Sequence, residues 1–153
     1  MNEWVGLLLF FGAVAAIAAS GAIFRPGDWY RALDKPSWTP PSWLFRPAWT
    51  ILCVMIAVAG WLVWRNQGFG FAVVAWLANL GFTAAWSWLM FGKRRIDLAL
   101  IDAVGILVTI LIFIAAAWPH SPTAALLFAP YLLWVAFATA LTFSLLQRNS
   151  PSR

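Results

Sequence analysis

The residues that could carry chemistry are few, and several of them lie inside long apolar stretches. Asp97 and Asp102 fall near the start of one stretch, with Asp102 five positions after Asp97. A charge at a bilayer centre costs about 2.5–3.5 kcal/mol on insertion scales, so Asp102 should face protein or a cavity. There Asp102 could contact a ligand or bind a proton, or it could form an ion pair with Arg94 or Arg95. We predict a structural acid at Asp102, and Asp97 fits the first turn of a helix, where the dipole favours it.

A second polar group follows the period of a helix. Asn79, Thr83 and Trp86 are spaced i, i+4 and i+7, which places them on one stripe. Lipid satisfies neither an amide nor an indole N–H, so this stripe should face protein. It could join two helices or form part of a ligand wall, and the spacing is compatible with both.

A similar stripe occurs near the end of the chain, where Pro130, Trp134, Ala138 and Leu141 share one helical face. An aromatic side chain one turn from a small one leaves a dent that a flat hydrophobic ligand could fill. Ordinary helix packing would give the same pattern. Both interpretations stay open from the spacing alone.

Conventional catalytic and metal-binding patterns are absent from the sequence. His120 is the only imidazole that could ligate haem iron, and its place in a short turn between two prolines favours a solvated side chain. Cys53 is the only cysteine, so the sequence has no disulfide framework and no thiolate metal site. We therefore predict no metal site and no conventional hydrolytic or redox enzyme.

Composition indicates an integral membrane protein. The 153 residues are 63% hydrophobic and 10% charged, with a mean hydropathy of +0.83. This is too little charge to cover a soluble domain of that size. The net charge of +5 does not indicate nucleic-acid binding, because the basic residues lie at the ends of apolar runs.

The apolar runs predict an all-α bundle of five transmembrane helices in a single domain, residues 1–153. Each run is long enough to cross a hydrocarbon core of about 30 Å. The predicted helices cover approximately residues 4–24, 45–65, 68–92, 96–118 and 122–147. Residues 25–44 form a Trp/Pro-rich loop between the first two.

The basic residues predict the orientation of the bundle. With five crossings, nine of them fall on one side: Arg25, Arg31, Lys35, Arg46, Lys93, Arg94, Arg95, Arg148 and Arg153. Arg65 alone falls on the other side. By the positive-inside rule, the loop and the C-terminus should be cytoplasmic and the N-terminus outside, on the periplasmic side.

The stretch Asp28–Trp49 has neither the sequence pattern of a helix nor the composition of a disordered linker. Its 22 residues hold four tryptophans and four prolines. Disordered linkers are poor in aromatic residues, and the Pro40-Pro41 pair excludes a helix just before it. The stretch could be a rigid cap that closes a pocket, or an aromatic belt at the membrane interface.

These motifs together resemble the TspO family, the tryptophan-rich sensory proteins related to the mitochondrial translocator protein, or peripheral benzodiazepine receptor. The resemblance spans nearly the whole chain. It rests on WYRALDKPSWTPP at 29–41, Trp49, Trp86 with Phe91-Gly92, and PYLLWVAFAT at 130–139.

The resemblance implies a five-helix bundle, commonly a homodimer, with a ligand pocket under the first loop. Tetrapyrroles such as protoporphyrin IX and haem are the implied ligands, with no obligatory cofactor; sterols and synthetic isoquinolines or benzodiazepines are weaker candidates. The matching ligand-binding positions, with Asn79 and Thr83 added from the polar stripe, are Trp38, Trp49, Asn79, Thr83, Trp86, Trp134, Ala138 and Leu141. Asp102 matches an acid of the fourth helix in relatives.

Three functions remain open under this resemblance. The preferred one is a receptor or carrier that regulates or transports tetrapyrroles. The second is light-dependent porphyrin degradation, with Trp49 and Trp134 as candidate catalytic residues. The third is a structural or regulatory membrane partner that uses small-residue helix faces such as Gly81 and Ala85.

The sequence also departs from the family pattern. Thr83 and Thr142 stand where relatives often carry asparagine, and Phe143 replaces the tyrosine of the sterol-recognition pattern between Leu141 and Arg148. That pattern is weak even when complete, so we do not expect tight sterol binding. Loss of the two amides changes the polar contacts available to a ligand.

Overall fold

All regular structure in the described part of the chain is helical. The computed structural model describes residues 2–23 and 27–149. The helices are α1 (Glu3–Ile23), α2 (Asp28–Arg31), α3 (Ser42–Gln67), α4 (Phe71–Ser87), α5 (Ile96–Ala117) and α6 (Pro122–Asn149). A π-helical turn, Trp88–Gly92, continues α4. All but α2 belong to spans long and apolar enough to cross a membrane, which confirms the five-helix prediction.

Several helix bounds differ from those predicted. The loop is not wholly irregular, because α2 forms one turn within it, and α3 begins at Ser42 directly after the extended Pro41. Pro47 is therefore the sixth residue of α3 rather than a first-turn residue, and its ring removes one intrahelical hydrogen bond. The predicted positions 1, 24–26 and 150–153, including Arg25 and Arg153, lie outside the described residues.

The five long helices close into a ring. Helix α1 packs against α3 and α4, α3 packs against α6, and α5 packs between α4 and α6. Close approach is possible where glycine faces an aromatic ring. A Cβ atom on Gly60 would lie 2.5 Å from Trp76, whose indole N–H donates to the Ile56 carbonyl at 2.8 Å. Helices α3 and α4 are thereby joined inside the bundle.

The two ends of the ring differ in charge. One end, called the loop end here, carries residues 27–41, the turn at 93–95 and the end of α6. Its described basic residues are Arg31, Lys35, Arg46, Lys93, Arg94, Arg95 and Arg148. At the opposite end Arg65 pairs with Glu3 at 2.6 Å, and Asn66 donates to the His120 carbonyl at 3.0 Å.

Buried apolar side chains form two clusters along the bundle axis. The core cluster is the larger and includes Trp76, Phe113, Phe128 and Tyr131. The loop-end cluster consists of Met90, Ile96, Ala99, Leu141 and Leu145. The space between them is the part of the fold that concerns the predicted site.

Candidate functional site

The first loop is tied to the end of α6 by a reciprocal pair of hydrogen bonds, called the loop clasp here. The Asp34 backbone N–H donates to Asn149 Oδ1 at 2.9 Å, and Asn149 Nδ2 donates to the Asp34 carbonyl at 3.0 Å. Arg148 adds a looser ion pair with Asp34 at 3.7 Å. Because side-chain amides match backbone groups in this way, the clasp fixes the loop above the bundle.

The first half of the loop packs on the loop-end cluster. The ring of Tyr30 meets Phe91 edge to face at 5.5 Å, and Phe91 meets Trp86 in the same way at 5.5 Å. Lys35 Nζ lies 4.8 Å from the centroid of the Tyr30 ring and donates to the Arg31 carbonyl at 3.1 Å. Partial burial raises the pKa of the Tyr30 phenol.

The second half of the loop continues into a row of edge-to-face contacts between α3 and α6. Trp38 meets Phe137 at 5.4 Å, Phe45 meets Trp134 at 5.5 Å, and Trp134 lies 6.5 Å from Phe137. We call these four residues the aromatic seam. Trp38 is 46% exposed, so the seam reaches the surface at the loop end. Such pairs add modest energy and can exchange for face stacking on a flat ligand.

A closed polar network lies deeper in the bundle. Tyr131 Oη donates to Asn79 Oδ1 at 3.0 Å and lies 2.8 Å from Thr83 Oγ1. Asn79 Nδ2 donates to Thr109 Oγ1 at 3.0 Å, and the ring of Trp49 lies 6.3 Å from that of Tyr131. The network joins α4, α5 and α6, which favours the helix-joining interpretation of the Asn79–Thr83 stripe.

Between the two clusters lies an intervening layer of polar and small side chains: Thr83 on α4, Asp102 and Ala103 on α5, and Ala138 on α6. On α5, Ala99 belongs to the loop-end cluster and Ile106 to the core cluster. The layer interrupts the apolar core at the level of several predicted site residues. Trp86 packs against both clusters and so borders this layer.

Asp102 differs from the partnered acid that we expected. Its side chain is buried, and its Oδ2 atom has no hydrogen-bond partner among the described residues. The predicted basic partner Arg95 instead bonds Asp97 through two contacts of 2.7 and 3.0 Å. A salt bridge to Asp102 is not formed in the described part of the chain.

The predicted site residues fall into three groups. Trp38 and Trp134 meet through Phe137; Trp49, Asn79 and Thr83 meet through Tyr131; Trp86 and Leu141 share the loop-end cluster, and Ala138 lies between the clusters. Sequence reasoning missed the residues that connect these groups. Tyr131 carried the clearest signal, because a tyrosine inside a membrane helix needs a partner for its hydroxyl. Phe45 and Phe137 gave no such signal.

The three residues that depart from the family pattern lie in different surroundings. Thr83 bonds Tyr131, and Thr142 is buried with its hydroxyl donating to the Ala138 carbonyl at 2.7 Å. Both hydroxyls are satisfied inside the protein. Phe143 is 49% exposed and points away from the helix interfaces. The replacement of a tyrosine by Phe143 therefore changes the outer surface rather than the intervening layer.

A cavity lies at each end of the bundle. A cavity of about 190 Å³ at the loop end is lined by Gly27, Asp28, Trp29, Phe91 and Arg94. A larger one of about 420 Å³ at the opposite end is lined by Glu3, Trp64, Arg65, Asn66, Gln67 and Gly68. Ligand pockets typically measure about 300–1,000 Å³, so the loop-end cavity is too small for a flat macrocycle. His120 lies at the opposite end from the aromatic seam.

Comparison with known proteins decides the family. The model of the TspO/MBR family matches residues 4–148. The chain belongs to the TspO/MBR family. It is 35% identical to the tryptophan-rich sensory protein of Cereibacter sphaeroides over 96% of this chain and 93% of that protein.

Other TspO/MBR relatives span bacteria and animals. The chain is 37% identical to the tryptophan-rich protein TspO of Chlorobaculum tepidum, over 97% of this chain and 99% of the relative. It is 34% identical to the human translocator protein, over 95% and 91% of the two chains. With its five membrane-length helices, this TspO/MBR chain is a multi-pass membrane protein.

Proposed function

We propose that this protein is a membrane receptor or carrier for tetrapyrroles, with protoporphyrin IX or haem bound under the first loop. The observation that carries the proposal is the aromatic seam, which joins the loop to α3 and α6 beside an intervening layer of small and polar residues. Indole and phenyl faces suit a flat conjugated ring. The names of two relatives, the tryptophan-rich sensory protein and the translocator protein, fit a binding rather than a hydrolytic role.

Binding requires the seam to open. The macrocycle would enter between Trp38 and Trp134, where edge contacts between side chains exchange for stacking on the ligand. Its propionates would remain at the loop end, where the side chains of Lys35 and Arg46 supply positive charge. Arg31 contributes less, because Asp28 already pairs with it at 2.9 Å.

The distribution of charge between the two ends also indicates how the protein is oriented in the membrane. Seven described basic residues gather at the loop end, whereas Arg65 at the opposite end is paired with Glu3. We propose that the loop end is cytoplasmic and that the N-terminus is outside. Accessibility labelling of a cysteine introduced at Ser37 tests this: a reagent that cannot cross the membrane should label it only in inside-out vesicles. Labelling in right-side-out vesicles would reverse the topology.

The main experiment is a titration of purified protein with protoporphyrin IX in the dark, followed by tryptophan quenching. A Trp38→Ala/Trp134→Ala variant removes two seam residues. Its matched control is Trp4→Ala/Trp118→Ala, which removes two tryptophans that are 66% and 54% exposed at the opposite end. We expect saturable quenching in the wild type and the control, and roughly five- to 150-fold weaker affinity in the seam variant, because the lost stacking of two rings at about 0.5–1.5 kcal/mol each corresponds to that change.

Equal quenching in all three proteins would show partitioning of the porphyrin into detergent or lipid, and the proposal would fail. Isoquinolines, benzodiazepines and sterols can be added as competitors in the same titration. Displacement of protoporphyrin IX by any of them would place that ligand at the seam. We expect sterols to be the weakest competitors, because Phe143 lies outside the intervening layer.

A second candidate function is porphyrin photo-oxidation, which the aromatic contacts around Trp49 and Trp134 favour. An excited porphyrin would take one electron from an indole and pass it to dioxygen, giving superoxide and an indole radical cation. The radical cation would then take an electron from the porphyrin ring, and superoxide would add to the resulting porphyrin radical cation, so that dioxygen enters the ring and the indole is regenerated. A Trp49→Phe/Trp134→Phe variant should then bind porphyrin in the dark yet bleach it more slowly in light. Equal bleaching rates at equal occupancy would exclude these two tryptophans as donors.

We also propose a homodimer that uses the outer face of α4. Gly81 is exposed, and a Cβ atom placed on it meets nothing within 4 Å in the same protomer. Gly81→Leu should therefore leave the protomer folded while converting dimer to monomer in crosslinking or light scattering. Gly105→Leu is the contrasting variant, because its Cβ would meet Phe82 at 2.8 Å inside the bundle. A persistent Gly81→Leu dimer would exclude this interface and the partner role based on it.

A further inference from the structure

Asp102 is exceptional among the buried polar side chains of the described residues. Those side chains belong to Asn79, Thr83, Asp102, Thr109, Ser121 and Thr142. Each of the others has a hydrogen-bond partner inside the protein. Asp102 is 7% exposed, and its Oδ2 atom alone is buried without one.

A structural role does not account for this carboxylate. The ion pairs of the described residues are Arg31–Asp28, Arg65–Glu3, Arg95–Asp97 and Arg148–Asp34. A buried charged or polar group that lacks a partner lowers stability, because it has left water without a replacement. Buried polar groups that cost stability in this way are characteristic of functional sites.

Its position ties Asp102 to the proposed binding site. It lies on the inward face of α5, between Ala99 of the loop-end cluster and Ile106 of the core cluster. Neighbouring Ala103 and, on α6, Ala138 are small, so a ligand that separated the two clusters would meet the carboxylate. The deep end of such a ligand therefore faces an acceptor and the shallow end faces basic residues.

We propose that Asp102 accepts a hydrogen bond from an N–H group at the edge of a bound ligand, and that the site prefers an open-chain tetrapyrrole to a closed one. This inference rests on the proposed tetrapyrrole-binding function. In a porphyrin the N–H groups point into the ring centre and cannot reach a side chain. In an open-chain tetrapyrrole the pyrrole and lactam N–H groups are accessible, and a bond from N–H to carboxylate is charge-assisted.

The test compares biliverdin IXα with protoporphyrin IX, which carry the same two propionates and similar ring substituents. Affinities are measured in the dark by tryptophan quenching for the wild type and for Asp102→Asn. The control is Asp97→Asn, an acid of the same helix that is exposed and paired with Arg95. We expect at least tenfold tighter binding of biliverdin than of protoporphyrin IX by the wild type. Asp102→Asn should lose at least tenfold for biliverdin and less than twofold for protoporphyrin IX.

The outcomes separate this inference from the proposed function. Saturable protoporphyrin IX binding without a biliverdin preference, or an equal effect of Asp102→Asn on both ligands, overturns the role of Asp102 alone. Failure of the wild type to bind either ligand saturably overturns tetrapyrrole binding and this inference together. A biliverdin loss of the same size in Asp97→Asn would also count against Asp102.

Thermal unfolding of the ligand-free protein gives an independent readout. Asp102→Asn should raise Tm, since it removes an unpartnered buried carboxylate while preserving the shape of the side chain. Asp102→Ala should raise Tm as well. This second variant controls for any local effect of the amide that Asp102→Asn introduces. A lower Tm in both variants would mean that Asp102 stabilises the bundle itself, and the assignment as a ligand acceptor would be wrong.

Discussion

The core cluster contains fully buried aromatic rings, whereas the five buried residues of the loop-end cluster are not aromatic and the rings packed against them are only partly buried. In the core cluster, the ring centroids of Phe113 and Phe128 lie 4.1 Å apart, and both side chains are fully buried. Trp76 is anchored by a hydrogen bond to a backbone carbonyl. At the loop end, half-buried aromatic rings meet mainly by their edges. Close packing makes the first region rigid. The second can rearrange without unfolding the bundle, as the proposed binding of a ligand there requires.

The end of α4 shows the same contrast within one helix. Its first 17 residues are α-helical, whereas Trp88–Gly92 adopts the wider π-helical turn. Such turns are frequent at functional sites, because the extra residue redirects the side chains around it. Here the turn places Met90 in the loop-end cluster and Phe91 between Tyr30 and Trp86.

The largest expected effect is the difference in lost stability between a substitution in the core cluster and one in the aromatic seam. Phe128→Ala should lower the free energy of unfolding by about 3 kcal/mol, because it leaves a cavity in a rigid region. Phe137→Ala, at a position that is 38% exposed, should cost less than about 1 kcal/mol while weakening porphyrin binding. Denaturant unfolding in detergent measures both variants. Equal losses of stability would remove the distinction between the core cluster and the aromatic seam.

A smaller loss of stability tests whether the polar network belongs to the same rigid region as the core cluster. Tyr131→Phe removes the hydroxyl that bonds Asn79 and Thr83, and should cost roughly 1 kcal/mol of stability. Porphyrin affinity should change less than twofold, because the Tyr131 side chain is fully buried and its hydroxyl is bonded within the protein. If affinity fell while the unfolding free energy stayed the same, the hydroxyl would belong to the ligand site instead.

The smallest change in stability is expected at the loop clasp. Asn149→Ala removes both bonds to Asp34, so it should increase the association and dissociation rates of protoporphyrin IX severalfold in stopped-flow quenching. Unfolding stability should remain within about 0.5 kcal/mol of the wild type. Arg148→Gln is the matched control, since an exposed pair at 3.7 Å contributes little. Unchanged exchange rates in Asn149→Ala would mean that the loop does not gate the site.

The sequence was sufficient for the architecture. Uninterrupted apolar runs, charges at their ends and stop signals such as Pro119 predict five helices, because membrane length leaves few alternatives. The bounds were less certain at the loop. Pro40-Pro41 fixes an extended entry but does not say how soon the next helix begins, and α3 begins at Ser42 rather than near residue 45.

The site was predicted less completely than the fold. Periodicity placed Asn79 and Thr83 on an inward stripe, but only tertiary structure shows that Tyr131 closes the network around them. The partner of Asp102 was predicted from proximity in sequence, whereas Arg95 bonds Asp97, which lies two residues away. Helical periodicity specifies a face, and it does not specify which side chain from another helix occupies that face.

The loop clasp also has a consequence for biosynthesis. Asp34 and Asn149 are 115 residues apart in the chain. The loop is therefore made before the side chain that fastens it, which lies at the end of α6 and is synthesised after α1–α5. A nascent chain with four inserted helices has neither the clasp nor the α6 half of the aromatic seam. The proposed binding site is therefore completed only after α6 is made, and a chain truncated before α6 would lack it.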